Sequence, residues 1–170
     1  MTMQQIFLLA SCVYLAVLVA TAYFTRATAR RVLGALAGGV AVAVVGFGVE
    51  LVAQALGFWR YPGDESGRGP LLLYPLLILV FAVLSLIGWR VMRRFGWRGE
   101  LVFLAVVAVQ GTLRDYFEAG QALEVIELAP GLATVLVDIV CWVGLTALAQ
   151  AVIGYEVGYK DFQRTQETLR

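Results

Sequence analysis

The chain has 170 residues, of which 61% are hydrophobic and 15% are charged, with a net charge of +1 and a mean hydropathy of +0.82. Soluble domains carry about 25% charged residues, so this composition excludes an ordinary soluble domain and predicts a polytopic membrane protein. Because the chain contains no histidine, His-ligated zinc, di-iron and haem sites are excluded, as is Ser-His-Asp catalysis. We expect no metal site and no cofactor.

Five stretches are long and apolar enough to cross a bilayer, which takes roughly 20 residues. They cover residues 5–24, 32–59, 70–92, 100–118 and 132–158. Short polar or basic connections separate them, and a polar tail follows the last one. The sequence therefore predicts an all-α membrane protein, a bundle of five transmembrane helices that forms a single domain over residues 1–170.

Basic residues predict the orientation of this bundle. Ten of the thirteen Lys and Arg residues lie in the first connection, in or beside the third connection, or in the tail. These three segments share one side of the membrane if there are five spans, and cytoplasmic segments are enriched in Lys and Arg. We therefore predict an outside N-terminus, a cytoplasmic C-terminus and a multi-pass location in a bacterial-type inner membrane.

Polar residues interrupt four of the apolar spans at a similar predicted depth, in the outer half of the bilayer. They are Glu50 and Gln54 in the second span, Tyr74 in the third, Gln110 and Arg114 in the fourth, and Asp138 in the fifth. An unpaired charge at such a depth costs roughly 2.5–3.5 kcal/mol on insertion scales, so an ionisable residue there marks a functional-site hypothesis.

We predict that Arg114 faces Glu50 or Asp138 and forms a forked, charge-assisted hydrogen bond. Two carboxylates that share one arginine need not both be ionised, and the more deeply buried one can hold a proton near neutral pH. This hypothesis assigns acid–base catalysis to Glu50, Asp138 and Arg114. It assigns ligand binding to Gln54, Trp59, Tyr61, Tyr74 and Gln110.

A simpler interpretation of the same residues is structural. Polar side chains in membrane helices often join neighbouring helices, at about 0.6 kcal/mol per contact, and this favours such a role for Gln54, Tyr74 and Gln110. The triplet Trp59-Arg60-Tyr61 is typical of an anchor at the membrane interface. Asp115 and Glu118, near the end of the fourth span, are interpreted as solvated.

One stretch of the second and third spans resembles a known family. Its residues are Glu50, then Gly57-Phe-Trp-Arg-Tyr61, then Gly69-Pro70. This pattern is similar to small membrane proteins of carotenoid metabolism, the lycopene-cyclase-domain type and the related carotenoid-hydratase type. The resemblance implies an isoprenoid ligand. It assigns a role only to Glu50, Trp59 and Tyr61. The paired glutamates that follow the proline in the cyclase type are absent, since the chain continues Leu-Leu-Leu-Tyr-Pro.

Three functions fit the sequence. The first is an enzyme or binder for an isoprenoid or carotenoid-like lipid, which as an enzyme would be an isomerase, cyclase or hydratase that uses a carboxylic acid. The second is a non-catalytic accessory subunit of a photosynthetic or respiratory membrane complex. The third, a small transporter, ranks last because no polar stripe is apparent in the cytoplasmic half.

The expected partners follow from these functions. They are the lipid bilayer, a hydrophobic ligand such as a lipid, quinone or carotenoid, and in the second function the protein partners of a complex. Nucleic acid is not expected, because the basic residues are explained by topology and no soluble surface remains to carry a basic patch.

Overall fold

The computed structural model describes residues 3–62, 70–119 and 126–168, with side chains described to residue 155. Over these residues the chain forms α1 (Met3–Thr25), α2 (Ala29–Ala55), β1 (Trp59–Arg60), α3 (Leu73–Ala119), β2 (Glu127–Leu128) and α4 (Leu132–Thr168). Each of the four helices is long and apolar enough to cross a membrane. The described part of the chain is therefore helical apart from one short ribbon and its connections, and its helices indicate a multi-pass membrane protein.

The prediction of five helices is wrong in its count, because the third and fourth predicted spans belong to one helical element, α3. The predicted basic connection at residues 93–98 is helical except at Gly96, which has φ 65° and ψ −158°. This region of backbone space is accessible essentially only to glycine. Gly96 therefore divides α3 into a first arm (residues 73–95) and a second arm (residues 97–119).

The two arms of α3 fold back on one another. A β-carbon on Gly88 would lie 2.7 Å from a ring carbon of Phe103, although the two residues are 15 positions apart in the chain. Leu73 and Glu118, near opposite ends of α3, line the same cavity. A straight helix of 47 residues would be about 70 Å long, so these contacts require a reversal at Gly96.

The second predicted span ends earlier than expected. Helix α2 stops at Ala55 because Gly57 adopts a left-handed conformation, with φ 74°. The amide of Phe58 then donates to the carbonyl of Ala53 and the amide of Gly57 to that of Gln54, a common glycine-terminated helix end. Trp59, predicted inside the span, lies in β1. At the other end of the chain, α4 continues past the predicted limit of residue 158.

Small residues on α2 allow the helices to approach closely. A β-carbon on Gly39 would lie 2.2 Å from the carbonyl oxygen of Ile78 in α3, and one on Gly38 would lie 2.8 Å from the carbonyl oxygen of Ala149 in α4. Such stripes of small residues are typical of packed membrane helices. Helix α2 is thus packed between α3 and α4, whereas α1, among the large apolar side chains described from residue 4 onward, buries Phe7 and Leu18.

A two-residue ribbon joins the segment after α2 to the segment before α4. Strand β1 pairs antiparallel with β2, with Trp59 opposite Leu128 and Arg60 opposite Glu127. The amide of Ala129 also donates to the carbonyl of Phe58, at 2.8 Å. The side chains of Arg60 and Glu127 form an ion pair on the exposed face. The ribbon holds Trp59 and Tyr61 against the helices.

Replacing Glu127 by glutamine is expected to change the free energy of unfolding by no more than about 1 kcal/mol, because exposed ion pairs contribute little. The Arg60 side chain of this pair is 76% exposed. Thermal unfolding in detergent measures the effect. A larger loss would show that the ion pair, rather than the apolar face of the ribbon, holds the ribbon in place.

Arginines and aromatic rings gather at the end of the bundle opposite the ribbon. The guanidinium of Arg31 lies 4.2 Å from the ring centre of Trp89, and that of Arg93 lies 5.0 Å from it. Arg90 donates to the carbonyl of Thr25 at the end of α1, at 2.9 Å. The connection after α1 and the turn at Gly96 therefore lie at the same end. The side chains of the predicted polar tail, residues 159–170, lie outside the described residues, as does Gly69 of the family pattern.

Candidate functional site

A cavity of about 110 Å³ lies between α2, α3, α4 and the ribbon, with one wall residue, Phe7, from α1. Most of its wall is apolar. Its polar wall residues are Glu50, Arg114, Asp115, Glu118 and Asp138, with the polar edges of Trp59, Tyr61 and Trp142. Every carboxylate and the guanidinium come from a membrane-spanning helix, so the cavity gathers the ionisable groups of three separate helical segments.

Two aromatic donors hold Glu50 at the cavity wall. The indole nitrogen of Trp59 donates to its Oε2 at 2.7 Å, and the hydroxyl of Tyr61 donates to its Oε1 at 3.0 Å. Both rings are buried, each 7% exposed. Trp59 and Tyr61 are therefore not interface anchors, as the structural interpretation had them. They fix the carboxylate of Glu50 through both of its oxygens.

The environment of Tyr61 keeps its hydroxyl protonated. Burial, the charge of Glu50 and the hydrogen bond to Glu50 raise the pKa of Tyr61 well above its ordinary value. A phenol that stays protonated remains a donor. The contact with Glu50 is therefore maintained over the physiological pH range.

A second acidic group forms at the other side of the cavity, where Asp115 of α3 and Asp138 of α4 adjoin each other within hydrogen-bonding reach. Two carboxyl groups can share a hydrogen bond only if one of them carries a proton. The indole nitrogen of Trp142 donates to Oδ2 of Asp115 at 2.8 Å. Oδ2 of Asp138 is buried and has no hydrogen-bond partner among the described residues.

Arg114 stands at the rim of the cavity. Its Nε lies 3.0 Å from Oε1 of Glu118, one helical turn away, and its Nη2 lies 3.5 Å from Oδ1 of Asp115. Its guanidinium also lies 5.6 Å from the ring centre of Trp142. The side chain is 37% exposed, so the ionic part of the wall continues to the surface of the bundle.

The structure brings Glu50, Arg114 and Asp138 to one cavity, but their partners differ from those predicted. The ion pairs of Arg114 among the described residues are with Asp115 and Glu118 of its own helix. Glu50 is held by aromatic donors instead of by the guanidinium. The reason is local: Glu118, four positions after Arg114, lies on the same face of the same helix and pairs with it at lower conformational cost than residues on other helices.

The predicted ligand-binding residues divide into two groups. Trp59 and Tyr61 line the cavity. Gln54, Tyr74 and Gln110 do not: Nε2 of Gln54 is buried without a hydrogen-bond partner, Tyr74 packs edge to face on Phe47, and Gln110 is exposed. Gln110, Arg114 and Glu118 repeat every four residues along one face of the helix, and of these only Arg114 and Glu118 line the cavity.

Asp115 and Trp142 are the cavity residues that the sequence interpretation missed. Asp115, interpreted as solvated, has a side chain only 17% exposed. Its position was marked in the sequence, because Ala108, Gly111 and Asp115 repeat every three to four residues along one helix face. Trp142 follows Asp138 by one turn and packs its ring against Gly111, where a β-carbon would lie 2.3 Å from it.

The arrangement combines a fixed carboxylate with a carboxyl pair across an apolar space. Glu50 accepts hydrogen bonds from two aromatic donors, whereas Asp115 and Asp138 adjoin each other at the other side of the cavity. No group of three or more potential metal ligands occurs among the described residues. No protein-family model, curated protein or solved structure matches the chain.

Proposed function

We propose that this membrane protein binds one end of an isoprenoid or carotenoid-like lipid in the cavity and acts on it by acid–base chemistry. The observation that carries the proposal is the meeting of Glu50 with the Asp115–Asp138 pair at one apolar cavity. Ionisable residues inside membrane bundles are expensive and usually functional. The resemblance of the Glu50–Tyr61 stretch to carotenoid enzymes points to the same ligand class.

The size of the cavity limits what it accepts. Pockets that enclose a whole small ligand measure about 300–1,000 Å³, whereas this cavity measures about 110 Å³. It therefore suits the terminal unit of a long lipid whose remaining chain stays among the apolar side chains and the bilayer. Arg114 and Glu118 lie exposed at the rim, so the entrance to the cavity is partly charged. This favours a lipid with a polar terminal group.

The chemistry assigned to the site is a proton transfer. The Asp115–Asp138 pair donates its proton to a carbon of a terminal double bond, whose electron pair forms the new C–H bond and leaves a cation on the neighbouring carbon. Glu50, with its oxygens fixed by Trp59 and Tyr61, stabilises that cation by its charge. The now deprotonated Asp115–Asp138 pair then takes a proton from another carbon next to the cation, and the electrons of that C–H bond re-form a double bond. The net reaction is an isomerisation, and the acid is restored.

The topology proposed from the sequence is retained, with five crossings made by four helices. The fold-back of α3 at Gly96 supports two crossings within one element. Basic residues at the end that holds Arg31, Trp89 and Arg93 support a cytoplasmic location for that end. The cavity then lies in the outer half of a bacterial-type inner membrane, with the N-terminus outside.

An accessory subunit of a larger membrane complex is the second candidate, favoured by the exposure of α1. Only 11% of the apolar window of α1 is buried, against 44% for α3, so this helix has a free face for a partner. Mass measurement of the particle after gentle solubilisation tests this candidate. A stable particle of monomer mass contradicts it.

The lipid content of the gently purified protein tests the ligand proposal. Gly46 lines the cavity, and a β-carbon there would meet only the side chain of Leu77, at an ordinary 3.6 Å, so Gly46→Leu can place its side chain in the cavity without a backbone clash at the β-carbon. Wild-type protein should carry a prenyl lipid or polyene, detected by absorbance and mass spectrometry, and Gly46→Leu should lose most of it.

Gly48→Leu is the matched control for this experiment. Gly48 lies two residues away on α2, is exposed and has open space around it. It should retain the wild-type lipid content. Equal lipid content in wild type and both variants would contradict binding in the cavity.

A further inference from the structure

A second group of buried polar side chains lies beneath the floor of the cavity, between the first arm of α3 and α4. Ser85 and Thr146 are fully buried and Gln150 is 8% exposed. The oxygens Oγ of Ser85, Oγ1 of Thr146 and Oε1 of Gln150 have no hydrogen-bond partner among the described residues. We call these three residues the inner polar layer.

The geometry of the two helices places these residues together. On the cavity side of these residues, Phe81 of α3 stacks on Trp142 of α4, with ring centres 5.7 Å apart. The first arm of α3 and α4 run in the same direction. Ser85 comes one helical turn after Phe81, and Thr146 comes one turn after Trp142. On the side away from the cavity, Nε2 of Gln150 donates to the carbonyl of Leu84 at 3.2 Å. Ser85 and Thr146 are therefore enclosed between a stacked pair and an interhelical hydrogen bond.

Hydroxyl groups on membrane helices usually donate a hydrogen bond to the backbone carbonyl four residues earlier. Two other hydroxyls of this protein do so. Ser11 donates to the carbonyl of Phe7 at 2.8 Å, and Thr25 to that of Thr21 at 2.6 Å. Ser85 and Thr146 do not use this local partner. A buried polar group without a partner costs about 1–3 kcal/mol, so three in one layer require another partner.

We propose that the inner polar layer is a binding site for internal water. Buried waters typically make about three hydrogen bonds to buried polar groups that otherwise lack partners, and the layer offers two hydroxyls and an amide oxygen. Water fits these groups better than a cation does, since the layer contains no carboxylate to offset a charge in the membrane. This site extends the polar part of the cavity toward the arginine-rich end, where the sequence had given no sign of a polar stripe.

Radiolytic hydroxyl-radical footprinting of the protein in lipid nanodiscs tests the water site, because radicals form at bound internal water. We expect segments 82–88 and 145–151 to be oxidised several-fold faster than segment 15–20 of α1, which lies mostly on the outside of the bundle and, like them, contains no Cys or aromatic residue. The double variant Ser85→Ala/Thr146→Val should lose this excess. Ser11→Ala, which removes a hydroxyl that already has a partner, should keep it.

Equal oxidation of the layer segments and the α1 segment in wild-type protein would overturn the proposal, whatever the variants do. The melting temperature of Thr146→Val provides a second, independent test of the water site. A dry layer would make this variant more stable, because it removes an unpartnered hydroxyl, whereas loss of a bound water makes it less stable. These outcomes do not depend on which lipid occupies the cavity, so they are distinguishable from a failure of the ligand proposal.

Discussion

Glu50→Leu is expected to lower the free energy of unfolding by about 2–6 kcal/mol, because it leaves two buried donors without an acceptor at about 1–3 kcal/mol each. The donors are the indole nitrogen of Trp59 and the hydroxyl of Tyr61, which the structure places 2.7 and 3.0 Å from the Glu50 oxygens. Thermal and denaturant unfolding in detergent measures the loss. The same variant is expected to abolish any turnover of a bound lipid.

Gln54→Leu is the matched control, because Gln54 lies one turn later on the same helix. Its Nε2 is buried without a hydrogen-bond partner, so its replacement by leucine should leave stability unchanged or raise it. A double-mutant cycle of Glu50→Leu with Trp59→Phe isolates the aromatic contact. A loss below about 1 kcal/mol in Glu50→Leu, no more than an ordinary hydrogen bond contributes, would contradict the role of Glu50 as the acceptor that holds the ribbon.

Gly39→Ala is expected to destabilise the bundle by about 1–3 kcal/mol or more, as overpacking of a tight interface does. A β-carbon at this position would lie 2.2 Å from the carbonyl oxygen of Ile78. That atom belongs to the backbone of α3, so relief requires α2 and α3 to move apart. The midpoint of thermal unfolding and the yield of folded protein in detergent measure the effect.

Gly48→Ala tests whether the effect arises from the contact or from the loss of glycine itself. Gly48 lies on the same helix with nothing within 4 Å of a β-carbon. Alanine is the better helix former by about 0.5–1 kcal/mol, so this variant should be neutral or more stable. Destabilisation of similar size in both variants would show that the close approach of α2 to Ile78 is not what Gly39 provides.

The polar cluster shows how far a pattern of residues predicts a site. Depth along a helix follows from position in an apolar run, so Glu50, Arg114 and Asp138 were expected at one level, and in the structure they line one cavity. The direction in which each of these side chains points around its helix axis was not predictable in the same way. Arg114 has acidic neighbours one and four residues later, and the sequence does not say whether it pairs with them or across the bundle.

The ribbon shows a second limit. Strands of two residues carry too little pattern to be recognised, and the pairing of Trp59 with Leu128 joins positions 69 residues apart. In that pairing Trp59 and Tyr61 are buried and Arg60 is exposed, which makes Trp59 and Tyr61 partners of Glu50 instead of anchors at the membrane surface. Asp115 was misassigned for a related reason, since its burial depends on the approach of Trp142 from α4.

The sequence by itself determined the long apolar helices and the positions along the chain at which charge enters them, because both follow from local composition and the thickness of a bilayer. Tertiary structure alone decided the reversal of α3 at Gly96, the donors that hold Glu50 and the pairing of Asp115 with Asp138. Each of these depends on which faces of distant segments meet. That is set by close packing at small residues such as Gly39 and Gly111, which local pattern does not encode.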